Sequence, residues 1–104
     1  MLAWHGDIGA IMTALADRRR RLLFRAQHRG TKENDQMIGG FVAARVAELT
    51  AAEIDLLEVL LTEPEARLAD WLTGRQPIQE DSEATAMLRA MRDFVQAGGA
   101  VRRP

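Results

Sequence analysis

Thr50-Ala51-Ala52-Glu53-Ile54-Asp55-Leu56-Leu57-Glu58-Val59-Leu60-Leu61 is the stretch that decides the fold class, because it specifies both where a helix starts and which face it buries. A threonine followed three positions later by a glutamate has the form of a capping box, in which each side chain satisfies a backbone N–H of the other residue. Ile54, Leu57, Leu60 and Leu61 then recur at helical spacing and lay an apolar stripe along one side. Downstream, Pro64 suits the first turn of a fourth, short helix that carries Leu68, Trp71 and Leu72 inward and ends near Gly74. Gln76 and Pro77 break the chain. Asp81 or Ser82 caps a fifth helix, whose stripe of Met87, Leu88, Met91, Phe94 and Val95 is stopped by Gly98-Gly99.

Upstream of the same stretch, Met37, Ile38, Phe41, Val42 and Val46 predict a second helix from about Thr31 to Glu48. Gly39 and Gly40 weaken it by roughly 1 kcal/mol each against alanine. Such a pair is best tolerated where another helix approaches closely or the helix bends. A first helix is predicted from about Thr13 to His28, with Leu15, Leu22, Leu23 and Ala26 on one side and Arg18, Arg21, Arg25 and Arg29 near one another on another. Gly30 ends it. No segment alternates apolar and polar residues, and no repeat of 20 to 50 residues is present. The expectation is an all-α, compact antiparallel bundle of five short helices over residues 13–98, with a flexible extension at 1–12 and a tail at 99–104.

Composition agrees with one folded domain: 104 residues, 47% hydrophobic and 28% charged, enough for a single modest core. With no cysteine, disulfides and thiolate metal sites are excluded, and His5 and His28 are the only histidines. The net charge of −1 hides an asymmetry. Residues 1–49 carry eight Lys/Arg against five Asp/Glu, and residues 50–104 carry six against ten, so the molecule is polarised. No apolar run reaches the roughly 18 residues a membrane helix needs, and the first residues lack the layout of a secretory signal. A bacterial cytoplasm is the expected location. Met12 precedes a good helix start, so residues 1–11, with an exposed-looking Trp4, read as an optional, poorly ordered extension.

Arg29-Gly30-Thr31-Lys32-Glu33-Asn34-Asp35 packs opposite charges around a glycine between two amphipathic segments. Taken alone it is most simply a helix-ending glycine followed by acidic residues that favour the next helix's N-terminus. Yet Glu33 and Asp35 are two positions apart and point to different sides of a helix, which capping does not require. Exposed charges this close contribute little stability by pairing, so a corner that meets another protein explains them better. The Arg18-Arg19-Arg20-Arg21 run invites a nucleic-acid reading. Against it stand the slightly acidic chain, the absence of tyrosine and the expectation that no aromatic side chain interleaves the basic ones. Contact with an acidic patch on a partner protein is more economical. His28 has no nucleophile or second base placed to complete a catalytic set, and Glu33 with Asp35 as an acid–base pair lacks a pocket. Trp71, Met37, Met87 and Met91 read as core.

These residues resemble the succinate dehydrogenase FAD assembly factors, or flavinators. The Arg-Gly-x-x-Glu-x-Asp signature of that family is matched by Arg29, Gly30, Glu33 and Asp35. The family's acidic capped helix resembles Leu49 to Leu61, and its acidic-Pro-acidic segment ending in Trp-Leu resembles Glu63-Pro64-Glu65 through Trp71-Leu72. The resemblance covers roughly Asp17 to Phe94. It implies a small five-helix protein, not an enzyme and monomeric when free, that binds the flavoprotein subunit of succinate dehydrogenase, or fumarate reductase, of respiratory complex II. There it would act like a chaperone and promote covalent attachment of FAD held by that client, keeping no flavin or metal of its own. Arg29 and Gly30 would form the tight corner at the client interface, flanked by Arg25 and His28, with Glu33 and Asp35 contacting polar groups near the flavin. A residue larger than glycine at position 30 would clash or lose the backbone geometry. Many relatives carry hydrophobic residues between Gly30 and Glu33 and just before Asp35, where this chain has Thr31, Lys32 and Asn34, which predicts a more polar client contact. The alternative is a helical nucleic-acid-binding or regulatory module using the arginine face.

Overall fold

The computed structural model describes residues 2–79 and 81–99. Helix α1 spans Leu2–Gln27, α2 Lys32–Arg45, α3 Ala51–Leu60, α4 Glu65–Thr73 and α5 Glu83–Gln96, with a single 3₁₀ turn at Val46–Glu48. No strand occurs among the described residues. The fold is the expected all-α bundle, with one helix that is not short: α1 has 26 residues against 14 in α2 and α5. Its start lies well before Thr13. No proline interrupts Leu2–Gln27, and glycine at positions 6 and 9 lowers helix propensity without stopping a helix. Thr13 lies inside the helix and its hydroxyl donates to the Gly9 carbonyl at 2.9 Å, the back-bonding of a mid-helix threonine. The Trp4 side chain and residues 100–104 of the expected tail lie outside what the structure describes.

The helix ends follow their sequence signals closely. Thr50 Oγ1 accepts from the Glu53 N–H at 3.1 Å and Glu53 Oε1 accepts from the Thr50 N–H at 2.9 Å, a complete capping box for α3. Ser82, not Asp81, caps α5 by accepting from the Thr85 N–H. Pro64 stands one place earlier than expected, at the cap of α4. Gly74 closes that helix in the left-handed region, at φ 83°.

Helix α2 is the central element, touching α1, α4 and α5. Met37, Ile38, Gly39, Phe41 and Val42 are all buried on it, so its apolar residues surround more than one side instead of forming a single stripe. Around it close Leu22 and Ala26 of α1, Ile54, Leu57 and Leu60 of α3, Leu68 and Leu72 of α4, and Met87, Leu88 and Met91 of α5. Phe41 meets Phe94 edge to face at 5.6 Å between ring centroids. Trp71, expected in the core, is only partly buried; it packs against the core while Arg67 lies 5.7 Å from its ring. On α4 the buried positions are Leu68, Ala69 and Leu72.

Gly39 has the reason to exist that its sequence context suggested. A Cβ there would stand 3.1 Å from the Gln27 Cα and 3.3 Å from the Ala26 carbonyl of α1. Backbone on the far side cannot swing away as a flexible side chain could. In an isolated helix Gly→Ala stabilises by about 1 kcal/mol, but forcing α1 and α2 apart costs about 1–3 kcal/mol. Gly39→Ala is therefore expected to lower the urea midpoint of unfolding, by an amount worth about 1 kcal/mol. A raised midpoint would show that the two helices do not meet here.

Candidate functional site

The junction between α1 and α2 turns on Arg29, Gly30 and Thr31. Gly30 adopts φ 109°, a backbone region L side chains rarely enter, and nothing lies within 4 Å of where its Cβ would be. The expected clash at a larger residue is thus absent; what such a residue would lose is the backbone geometry. Thr31 follows in extended conformation and caps α2, its hydroxyl accepting from the Asn34 N–H at 3.2 Å.

Behind this turn, four side chains face inward. The Asp35 carboxylate accepts from the backbone N–H of Arg29 at 2.5 Å, fastening the first turn of α2 to the end of α1. The Arg29 guanidinium points away from solvent, with its side chain only 10% exposed, and pairs with Glu65 Oε2 at 2.6 Å. Asn34 is 1% exposed, and its Nδ2 donates to Glu65 Oε1 at 2.8 Å and to the Glu65 carbonyl at 3.0 Å. Glu65 is the first residue of α4, where the helix dipole favours a carboxylate. Three helices are thereby tied at one point. These charges were expected to be exposed and weakly paired, yet Arg29 is enclosed because Glu65 from a distant part of the sequence supplies its counter-charge.

What remains outward is Gly30, Thr31, Lys32 and Glu33, together with the outer face of the last turns of α1. Phe24 is 62% exposed and its ring stacks on that of His28 at 4.1 Å between centroids. His28 Nδ1 lies 2.7 Å from the Phe24 carbonyl; a carbonyl only accepts, so Nδ1 carries the proton. Phe24 falls between Arg21 and Arg25, both exposed, which corrects the expectation that no aromatic residue stands among the basic ones.

The arginine run itself divides. Arg18 reaches α3, bonding Asp55 at 2.7 Å and Glu58 at 3.0 Å, and the hydrogen bond to Asp55 holds its pKa above the ordinary arginine value. Arg19 donates twice to the Leu49 carbonyl, at 3.0 and 2.7 Å. Arg20 pairs with Asp17 one turn away. Among the described residues, Arg21 and Arg25 are the ones left without an internal partner in the run and its extension. Helical periodicity explains this: a four-residue run must spread over every side of a helix.

Of the six residues expected at a binding site, the structure brings Arg25, His28, Gly30 and Glu33 to the surface and turns the side chains of Arg29 and Asp35 inward. Asn34 and Glu65 were missed as partners of this corner. The polar residue at position 34, expected to make the client contact more polar, is buried against Glu65 instead. Glu65, the acidic residue directly after Pro64, was the available signal, but only the fold shows what it faces. Among the described residues no group of three His, Asp or Glu could hold a metal ion, and no helix is long and apolar enough to cross a membrane.

Residues 20–95 match the family described as flavinator of succinate dehydrogenase. The chain is 54% identical over 77 residues to the FAD assembly factor SdhE of Acetobacter pasteurianus, covering 74% of this chain and 70% of that one. It is 26% identical over 69 residues to succinate dehydrogenase assembly factor 2, mitochondrial, of Dictyostelium discoideum, covering 66% of this chain and 49% of that protein. The protein of the same name from Candida glabrata is 28% identical over 90 residues, covering 84% of this chain and 59% of its own length. No solved structure matches the chain.

Asn34 provides the test of the inward corner. Asn34→Ala removes both hydrogen bonds from Nδ2 and leaves the Glu65 groups short of a donor, which is expected to cost about 1–3 kcal/mol in urea unfolding. A cost below about 0.5 kcal/mol, the range of ordinary surface substitutions, would show that the side chain is not enclosed as described.

Proposed function

The chain belongs to the family of succinate dehydrogenase flavinators, and from that premise we propose that it assists covalent FAD attachment to the flavoprotein subunit of succinate dehydrogenase by binding that subunit. The observation that carries the reading is the Gly30 turn, open on its outer side and fastened from behind by Asp35, Arg29 and Glu65. An exposed turn that is already ordered loses little conformational freedom when it docks. A corner of bare backbone can also approach a partner more closely than one carrying a side chain.

On this reading the protein supplies geometry. The flavin's own chemistry forms the bond, and the helper holds the client in a productive arrangement. Gly30 and Glu33 meet the client, flanked by Arg25 and His28, while Arg29 and Asp35 support the turn from inside. FAD stays with the client throughout. Fumarate reductase flavoprotein is a second client of the same chemistry. The helper works as a monomer when free, in the bacterial cytoplasm.

The arginine face with exposed Phe24 supports a second reading, nucleic-acid binding. Its weight follows from the count of available cations. With Arg18, Arg19 and Arg20 paired internally, Arg21 and Arg25 would neutralise two phosphates, so log affinity against log salt would fall with a slope of only about −1.8. A protein built to hold nucleic acid would present more.

The deciding measurement is covalent flavin in the cognate flavoprotein, read as fluorescence in a denaturing gel, with and without this protein. Strong dependence is expected. Equal labelling in both, with client and FAD abundant, would sink the proposal. Gly30→Arg is expected to fold, at a backbone cost of about 1–2 kcal/mol, and to abolish the stimulation. Normal stimulation by a folded Gly30→Arg protein would show that the turn is not the working surface.

A further inference from the structure

The residue that holds the docking turn in place is not in the turn. Glu65 stands more than thirty positions after Arg29, at the start of α4, and all of its acceptor groups are directed at the α1–α2 junction. Oε2 receives the Arg29 guanidinium at 2.6 Å, Oε1 and the carbonyl receive Asn34 Nδ2, and the neighbouring Glu63 carbonyl lies 3.4 Å from the same guanidinium. We infer that Glu65 is a positioning residue for client recognition, setting the pose of the Gly30 turn through Arg29 and Asn34. The inference rests on the docking role proposed for that turn.

Three features favour positioning over simple stabilisation. An ion pair with Arg29 enclosed and Glu65 a third exposed is a poor source of stability, since taking the guanidinium from water offsets much of the attraction and solvent screens the carboxylate side. Here the cost is raised further, because Arg29 Nε and Asn34 Oδ1 have no hydrogen-bond partner among the described residues. Apolar packing would serve stability better. What the polar contacts add is direction: charge-assisted hydrogen bonds to both carboxylate oxygens fix orientation in a way packed methyl groups do not. The direction is transmitted without slack. Arg29 is held at its side chain by Glu65 and at its backbone N–H by Asp35, and Gly30 is the next residue. Gly30 gains from such restraint, because its missing side chain gives it a wide choice of backbone conformations.

The test is Glu65→Gln in the full chain. It keeps the volume and one acceptor for Asn34, and removes the charge facing Arg29. With purified flavoprotein, FAD and graded amounts of the helper, the concentration giving half-maximal covalent flavinylation is expected to rise roughly tenfold, while the extent reached at saturation stays that of wild type. In the free protein, hydrogen exchange of the Arg29 amide should quicken by about the same factor. Exchange of the Ile54 amide, which bonds the Thr50 carbonyl in α3, should not change, reporting an intact fold.

A half-maximal concentration within about twofold of wild type would overturn the inference. So would a raised concentration with Arg29 exchange unchanged, because Glu65 would then act by touching the client itself. If wild type fails to stimulate flavinylation at any concentration, the docking reading falls, and with it the role in recognition. The exchange measurement separates that failure from this one, since unchanged Arg29 exchange in Glu65→Gln would refute the restraint whatever the function.

Discussion

Glu65 joins the first turn of α4 to the end of α1 and the start of α2, and the orientation of the Gly30 corner depends on that connection. Without it, α1 and α2 would still pack through Leu22, Ala26, Ile38 and Gly39, and α4 would still bury Leu68 and Leu72. Apolar packing of this kind is non-directional and tolerates small rotations. Hydrogen bonds from Arg29 and Asn34 to a single carboxylate do not. They convert three packed helices into one defined junction, with Gly30 at its outer edge. The α1 face nearby carries a second set of directional ties, from Arg18 to Asp55 and Glu58 and from Arg19 to the Leu49 carbonyl, which bring α3 onto the same helix.

Division of labour among the charged residues follows from these ties. Arginines and acids on the inner side act between helices, and those on the outer side of α1 and the start of α2 remain available. On the proposed function that outer surface is the face offered to the client, and a face already ordered loses little conformational freedom on docking. The turn supplies a stretch of exposed backbone. Beside it, the stacked Phe24–His28 pair offers apolar area, and Arg21 and Arg25 offer charge. Aromatic and arginine side chains together are the composition that protein interfaces favour.

Much of this was legible in the chain. Thr50 and Glu53 named the start of α3, Asp81 or Ser82 that of α5 to within one residue, and Gly74 the end of α4, because capping is a contact within one turn and needs only local sequence. The core positions were equally local in origin, since helical spacing alone puts Ile54, Leu57 and Leu60, or Met87, Leu88 and Met91, on one face. The start of α1 was misplaced because Met12-Thr13 resembles a boundary while nothing upstream forbids a helix. Trp71 was placed too deep because periodicity gives a direction and not a depth. Of the corner, the residues were legible and their roles were not.

By itself, then, the sequence determined which segments are helical, which faces are apolar and that Gly30 must bend the chain, all of them consequences of interactions spanning four residues or fewer. Only the tertiary structure decided that Arg29 and Asn34 point inward to Glu65, that Gly39 admits the backbone of α1, and that Arg18 and Arg19 are consumed by α3 and its approach. A side chain's neighbours across a bundle depend on how helices are rotated and offset against one another. That is set by the packing of the whole core, and no local pattern contains it.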